Sequence, residues 1–350
     1  MGSQTLRELL GTELPIVQAP MAGVQGSALA VSVSNAGGLG SLPCAMLPPD
    51  AIRGELAAIR AQTDAPFNVN FFCHAPPEPD TEREAAWRRA LSPYFEEFGV
   101  DPDTIPAGPA RGSFDESAAD VLSDFEPPIV SFHFGLPSED LVARVRAWGA
   151  KVVSSATTVD EALWLEARGV DAVIAQGLEA GGHRGMFLTD DLSTQLGTFA
   201  LVPQIVGAVN VPVIAAGGIA DASGVAAALA LGASGVQIGT AYLLCPEATT
   251  SDLHRSALGS DRARVTAVTD VFTGRPARGI VNRIVRDLGP VNGATPAFPL
   301  AAFAIAVLRA KAESGGRDDF SSMWAGQNVS GCTEAPAGDL TRELARGVAG

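Results

Sequence analysis

The side chain best suited to proton chemistry is His183, set in Gln176-Gly177-Leu178-Glu179-Ala180-Gly181-Gly182-His183-Arg184-Gly185. An imidazole titrates near neutrality and can remove a proton from a weakly acidic carbon. Glycines on both sides allow backbone conformations closed to bulkier residues, so the segment can lie over a bound molecule and present the ring to it. The other histidines are His74, His133 and His254. His133 is the candidate for substrate binding, His74 caps or orients a loop, and His254 reads as a surface residue of a later helix.

A second kind of chemistry is written in glycines. Gly217 and Gly218 lie in Ala216-Gly217-Gly218-Ile219, and Gly239 lies in Gln237-Ile238-Gly239-Thr240. Glycines let backbone N–H groups approach an anion closely, and a helix beginning nearby adds partial positive charge. Asn70 and Gln176 each donate and accept hydrogen bonds, which suits the edge of a flat polar heterocycle such as a flavin. Met21-Ala22-Gly23 offers backbone groups with little bulk for packing on a ring face. Taken singly, these glycines make tight turns and these amides satisfy buried backbone. Their joint placement is what points to a ligand.

That placement follows from the elements. Eight short apolar runs occupy residues 15–20, 38–43, 66–72, 128–134, 151–156, 171–176, 211–216 and 235–240. Helical patterns separate them at 25–35, 50–62 (with Asp50 as N-cap), 138–148, 159–168, 198–209 and 222–231. Continuous β-branched runs imply strands buried on both faces, as in parallel sheets. Repeated βα units in that number predict an α/β fold, a (β/α)8 TIM barrel, rather than a doubly wound sheet. No G-x-G-x-x-G follows the first run, where a dinucleotide fold would carry it. A charged insertion at about 74–127, with helices at 81–98 and 115–124, follows the third strand. A helical extension covers about 241–350, with helices at 300–313 and 339–346, and the whole of 1–350 reads as one domain. Barrel enzymes place chemistry at the C-terminal ends of their strands and often bind phosphate after the seventh and eighth. The glycine pairs and His183 fall at those ends.

Bulk properties exclude several classes. The chain has 350 residues, 47% hydrophobic and 18% charged, with a formal net charge of -15. Such acidity repels nucleic-acid phosphates and anionic membrane surfaces. Cys44, Cys73, Cys245 and Cys332 fit no zinc spacing, and no His and carboxylate cluster marks a metal. They read as reduced thiols of a cytoplasmic protein. The apolar stretch 199–217 is broken by Pro203, Gln204, Asn210 and Pro212, so it does not read as a membrane span.

Together these segments resemble the nitronate monooxygenase family, once called 2-nitropropane dioxygenases. The resemblance rests on the strand-end motifs above and on Phe71-Phe72-Cys73-His74, Ser131-Phe132-His133-Phe134-Gly135, Phe272-Thr273-Gly274-Arg275-Pro276-Ala277-Arg278-Gly279 and Ala325-Gly326-Gln327. It implies one non-covalent FMN. Met21, Ala22, Gly23, Asn70, Gln176, Gly181, Gly182, Gly217, Gly218, Gln237, Ile238, Gly239 and Thr240 are the expected cofactor residues, with His183 as the base. It also implies oxidation of an alkyl nitronate or nitroalkane by O2 to a carbonyl compound and nitrite, in a possible homodimer. One departure stands out. Family members acting on a carboxylate-bearing nitronate carry tyrosines and a lysine in the segment matching 297–311, whereas the only tyrosines here are Tyr94 and Tyr242. That favours a less polar substrate. Arg309 and Lys311 read as outward-facing helix charges. Two other readings use the same barrel: an NAD(P)H-dependent FMN reductase of the quinone or enoyl-acyl-carrier-protein type, and a non-catalytic flavin- or phosphate-binding barrel.

Overall fold

The structure, a computed structural model, describes residues 5–78, 80–105 and 112–348. Parts of the predicted insertion, residues 79 and 106–111, lie outside the described residues, as do 1–4 and 349–350. Nine strands run to residue 238: β1 (Ile16–Gln18), β2 (Gly40–Pro43), β3 (Phe67–Phe72), β4 (Ile129–His133), β5 (Lys151–Ala156), β6 (Ala172–Gln176), β7 (Gly182–His183), β8 (Val213–Ala216) and β9 (Gly235–Ile238). All but β7 form one parallel sheet in the order β1-β9-β8-β6-β5-β4-β3-β2. The ring closes through Leu39, whose N–H donates to the Ile16 carbonyl at 2.8 Å and whose carbonyl accepts from the Gln18 N–H at 2.9 Å. The barrel expectation therefore holds, strand by strand.

Helices between the strands begin where the sequence supplies caps. The chain runs through α1 (Leu6–Leu10), α2 (Ser27–Asn35), α3 (Pro49–Arg60), α4 (Thr81–Phe98), α5 (Glu116–Phe125), α6 (Glu139–Ala147), α7 (Val159–Ala167), α8 (Thr198–Ala208) and α9 (Ala222–Ala230). Side-chain oxygens of Asp80, Asp115, Ser138, Thr158 and Asp221 each accept a backbone N–H three residues on, satisfying donors that a helix start leaves without partners. Asp50 is an exception to expectation. Helix α3 starts a residue earlier with Pro49, and Asp50 sits in its first turn. A proline needs no N–H partner at that position, so the helix begins there, and Asp50 contributes only charge.

Helix α1 lies at the barrel's lower end. Leu6, Leu9 and Leu10 pack with Val17, Leu39, Ile129, Val153, Ile174 and Ile214, so the interior is a filled core. Burying one such side chain is worth about 1.5–3 kcal/mol.

Beyond β9 the chain departs from an all-helical extension. It adds α10 (Asp252–Leu258), β10 (Thr266–Thr269), β11 (Ala277–Ile280), α11 (Arg283–Leu288), α12 (Ala301–Ser314) and α13 (Ala337–Ala345). Strands β10, β11 and β7 make a second, antiparallel sheet. Insertion helix α4 packs Trp87, Leu91, Tyr94 and Phe95 against Phe272, Ile284, Ile305, Leu308 and Phe320 of this extension. The insertion and the extension thus share one apolar cluster beside the barrel.

Candidate active site

The C-terminal strand ends surround a cavity with about 1400 Å³ of unfilled space, counting its open mouth. Met21, Ala22, Asn70, His133, Gln176, Gly181, Gly182, His183, Gly217, Gly218, Gln237, Ile238, Gly239 and Thr240 all line it. Gly23 does not. It is exposed, in a turn at φ +85°, and its contribution is to let the β1 loop reverse direction.

The glycine end is shaped for close approach. Gly217 and Gly218 have φ of +112° and +74°. A Cβ on Gly217 would lie 2.9 Å from the Ala180 nitrogen, and one on Gly181 would lie 2.6 Å from the Ala325 carbon and the Gly326 nitrogen. The segment after β11 returns here: Gly326 N–H donates to Thr240 Oγ1 at 2.9 Å, and Asn328 Nδ2 donates to the Gly218 carbonyl at 3.1 Å. The Gln237 Oε1 atom is buried with no partner in the protein.

His183 is not in a pliant loop. It belongs to β7, where it pairs with Ala277 while Gly182 pairs with Arg278. A two-residue strand holds itself poorly, and several side chains brace it. The His183 carbonyl accepts from Gln176 Nε2 at 2.9 Å and from His133 Nε2 at 3.1 Å. Gln176 Oε1 accepts the Gly185 N–H at 2.8 Å. Arg184, fully buried, donates to the Gln176 and Gly177 carbonyls at 2.7 Å each and to Gln195 Oε1 at 3.0 Å. Burial brings its guanidinium down to about 10, which leaves it charged at neutral pH. Glu161, also fully buried, accepts the Phe187 N–H at 2.6 Å and the Thr157 N–H at 2.7 Å. It ties the segment after His183 to the end of β5.

The imidazole itself lies 3.0 Å from Thr273 Oγ1 through Nε2. Thr273 donates its own hydroxyl to the Arg275 carbonyl at 3.4 Å. Thr273 Oγ1 is thus set to accept from His183 Nε2–H. Around the ring stand Phe298 and Trp324, both 5.4 Å away between centroids, with Phe72 at 6.0 Å and Phe134 at 6.1 Å. Phe134 adopts φ +70°, a left-handed conformation that costs a bulky residue about 1–3 kcal/mol. Its ring is buried against Phe72 and Phe298, with the Arg275 guanidinium 3.9 Å above it.

Two more sequence readings change. His133 reaches the cavity wall, but both ring nitrogens are spent inside the protein, on Ser155 Oγ at 3.0 Å and on the His183 carbonyl. Burial lowers it to about 4, against the opposing pull of the His183 carbonyl bond, so it is neutral in use and not a free substrate donor. His254 is not a surface residue. It is 5% exposed and lines the cavity. Burial also takes it to about 4, while a backbone bond to Trp324 acts the other way. Its helix turns the ring inward, which helix spacing over so short an element does not disclose. His74 is buried against Phe298 at 4.8 Å, and Ser113 Oγ donates to its carbonyl, consistent with orienting the insertion. Arg309 and Lys311 point outward, as expected. Trp324, Ser322 and Asn328 reach the cavity unannounced by any residue-type signal.

Among the described residues no helix is long and apolar enough to cross a membrane. The family model described as Nitronate monooxygenase matches residues 3–347. A nitronate monooxygenase of Pseudomonas aeruginosa is 45% identical over 96% of this chain and 96% of its own. One from Paraburkholderia phytofirmans is 43% identical over 99% of this chain and 95% of its own. The solved structure of a nitroalkane oxidase from Streptomyces ansochromogenes superposes with a TM-score of 0.87 at 38% identity, covering 99% of this chain and 98% of that one.

Proposed function

The chain belongs to the nitronate monooxygenase family, and from that premise we propose that it oxidises small alkyl nitronates and nitroalkanes with O2, giving a carbonyl compound and nitrite, with non-covalent FMN as cofactor. The observation that carries the reading is His183, braced on β7 at the wall of a glycine-lined cavity.

The residues fit such a cofactor. Gly217, Gly218, Gly239 and Thr240 line the cavity with little or no side-chain bulk, where backbone N–H groups can meet a phosphate. Gln237 Oε1, buried without a partner, is an acceptor that a ligand N–H or O–H would satisfy. Asn70 spends Nδ2 on Ser131 and turns its side-chain oxygen, Oδ1, to a donor. Gln176 keeps one of its two amide hydrogens, the other being held by His183. Met21 and Ala22 supply apolar contact. The flavin would supply the electron-accepting chemistry.

His183 does the proton work. With Nε2–H held by Thr273, Nδ1 takes the proton next to the nitro group of a neutral nitroalkane. A nitronate arrives already deprotonated and needs this step less. Phe72, Phe298 and Trp324 exclude water and suit an apolar substrate tail.

The test is direct. Purified protein is expected to show a flavin spectrum, with FMN released on denaturation, and to consume oxygen and form nitrite with nitroethane or ethyl nitronate. A colourless protein that cannot be loaded with FMN overturns the reading. So does rapid anaerobic bleaching of the flavin by NADH without nitronate turnover.

A further inference from the structure

We propose that Ser155 and His133 form a fixed hydrogen-bond pair that positions His183 through its backbone carbonyl, making both of them positioning residues for proton abstraction. The inference rests on the reading of His183 as the base.

The direction of each bond follows from chemistry. The His183 carbonyl can only accept, so the His133 nitrogen 3.1 Å from it, Nε2, must carry hydrogen. His133 is neutral in use, so its Nδ1 bears a lone pair and the Ser155 hydroxyl 3.0 Å away donates to it. A serine at that point of β5 thus selects one tautomer on β4, and that tautomer alone can hold β7. The opposite tautomer would set a lone pair against the carbonyl.

Packing leaves no slack in this chain of contacts. A Cβ on Gly185, two residues past His183, would lie 2.9 Å from His133 Cε1 and 3.1 Å from Ser155 Cβ. The backbone after the base therefore rests directly on the pair. Gln176 provides a second donor to the same carbonyl at 2.9 Å. Two donors, from β4 and β6, converge on one oxygen of a two-residue strand. Errors in the carbonyl position pass straight to the ring attached to the same residue.

The consequence is selective. A displaced base harms removal of a proton from carbon, where a shift of about 1 Å can cost about 100-fold. It harms much less the handling of a substrate that is already an anion. A role in packing alone would lower both together.

The experiment uses FMN-loaded protein and compares kcat/KM for nitroethane and ethyl nitronate in wild type, His133→Phe, His133→Gln and Ser155→Ala. In His133→Phe the ratio of nitroethane to nitronate kcat/KM is expected to fall about 10- to 100-fold. Ser155→Ala should shift it in the same direction by a smaller factor, and His133→Gln, which keeps a side-chain N–H, should recover part of the loss. Parallel falls on both substrates, or an unchanged ratio in every variant that folds, overturn the proposal. Independently of turnover, 15N NMR of the apoprotein should show His133 protonated at Nε2 and bare at Nδ1; the reverse tautomer refutes the pair. If wild type turns over neither substrate while that tautomer is found, the function has failed and the hydrogen-bond pair has not.

Discussion

Replacing Arg184 by leucine removes a buried cation that spans the β6–β7 turn. Its guanidinium makes three bonds, to the Gln176 carbonyl, the Gly177 carbonyl and Gln195 Oε1. Glu161 and Glu179 lie close enough to act on it electrostatically. Leucine leaves these acceptors buried without donors. Losing one partner of a buried charged network typically costs about 3–5 kcal/mol. For 350 residues, an unfolding entropy of about 2.1 cal/mol/K per residue gives about 0.7 kcal/mol/K, so the expected fall in Tm is about 4–7 °C. Lysine keeps the charge but cannot reach three acceptors in a fork, so it should lose roughly half as much. The assay is thermal unfolding of wild type, Arg184→Lys and Arg184→Leu in one buffer at pH 7. A loss below about 1 °C in Arg184→Leu would refute the view that this cation holds the turn that carries His183.

Other expectations follow from the same geometry. His183→Asn should lower kcat/KM for nitroethane by about 100-fold or more, with a far smaller effect on ethyl nitronate; equal losses on both would remove His183 from the proton step. Gly181→Ala forces a methyl to 2.6 Å from the Ala325–Gly326 backbone and should cost about 1–3 kcal/mol and weaken FMN binding in a fluorescence titration. Gly54→Ala in α3, where a methyl meets nothing within 4 Å, should instead add about 0.5–1 kcal/mol. His133 and His254 are both held near 4 by burial, below the unfolded value of about 6.5. The unfolded chain therefore binds their protons first, and stability is lost as pH falls from about 6.5 to 4, by about 3 kcal/mol for each histidine. Urea midpoints at pH 7 and pH 5 should show this fall, and a flat profile would contradict it.

Most barrel strands were legible because they are short buried runs with few polar breaks, such as Asn68 and Asn70 in β3. Helix positions were legible from their helical patterns, and Asp80, Asp115 and Ser138 stand immediately before three of the starts. The glycine pairs and Gln176 were legible because strand ends fix where a barrel gathers its ligands. The rest had no periodic signal to read. Helix α1 is five residues long and β7 two, too short for either period to show twice. Strands β10 and β11 mix Thr and Arg with small residues, and β7, which pairs with β11, lies 94 residues earlier by the register Ala277 with His183. His254 looked exposed because α10 is seven residues, too short for its faces to be told apart. The inner commitments of His133 depend on contacts 22 and 50 residues away in sequence, which residue type alone cannot convey.

The second sheet has one more consequence. The strand ends that surround the glycine-lined end belong to a ring of eight mutually bonded strands, whereas the imidazole, Phe298 and Trp324 are carried by β7 and the segments after it. The site is therefore assembled like a workbench with a separate vice. Substitutions at 297–324 can reset what is gripped without breaking a single bond of the bench. The lack of any tyrosine at 297–311 is the kind of feature such a division of labour permits.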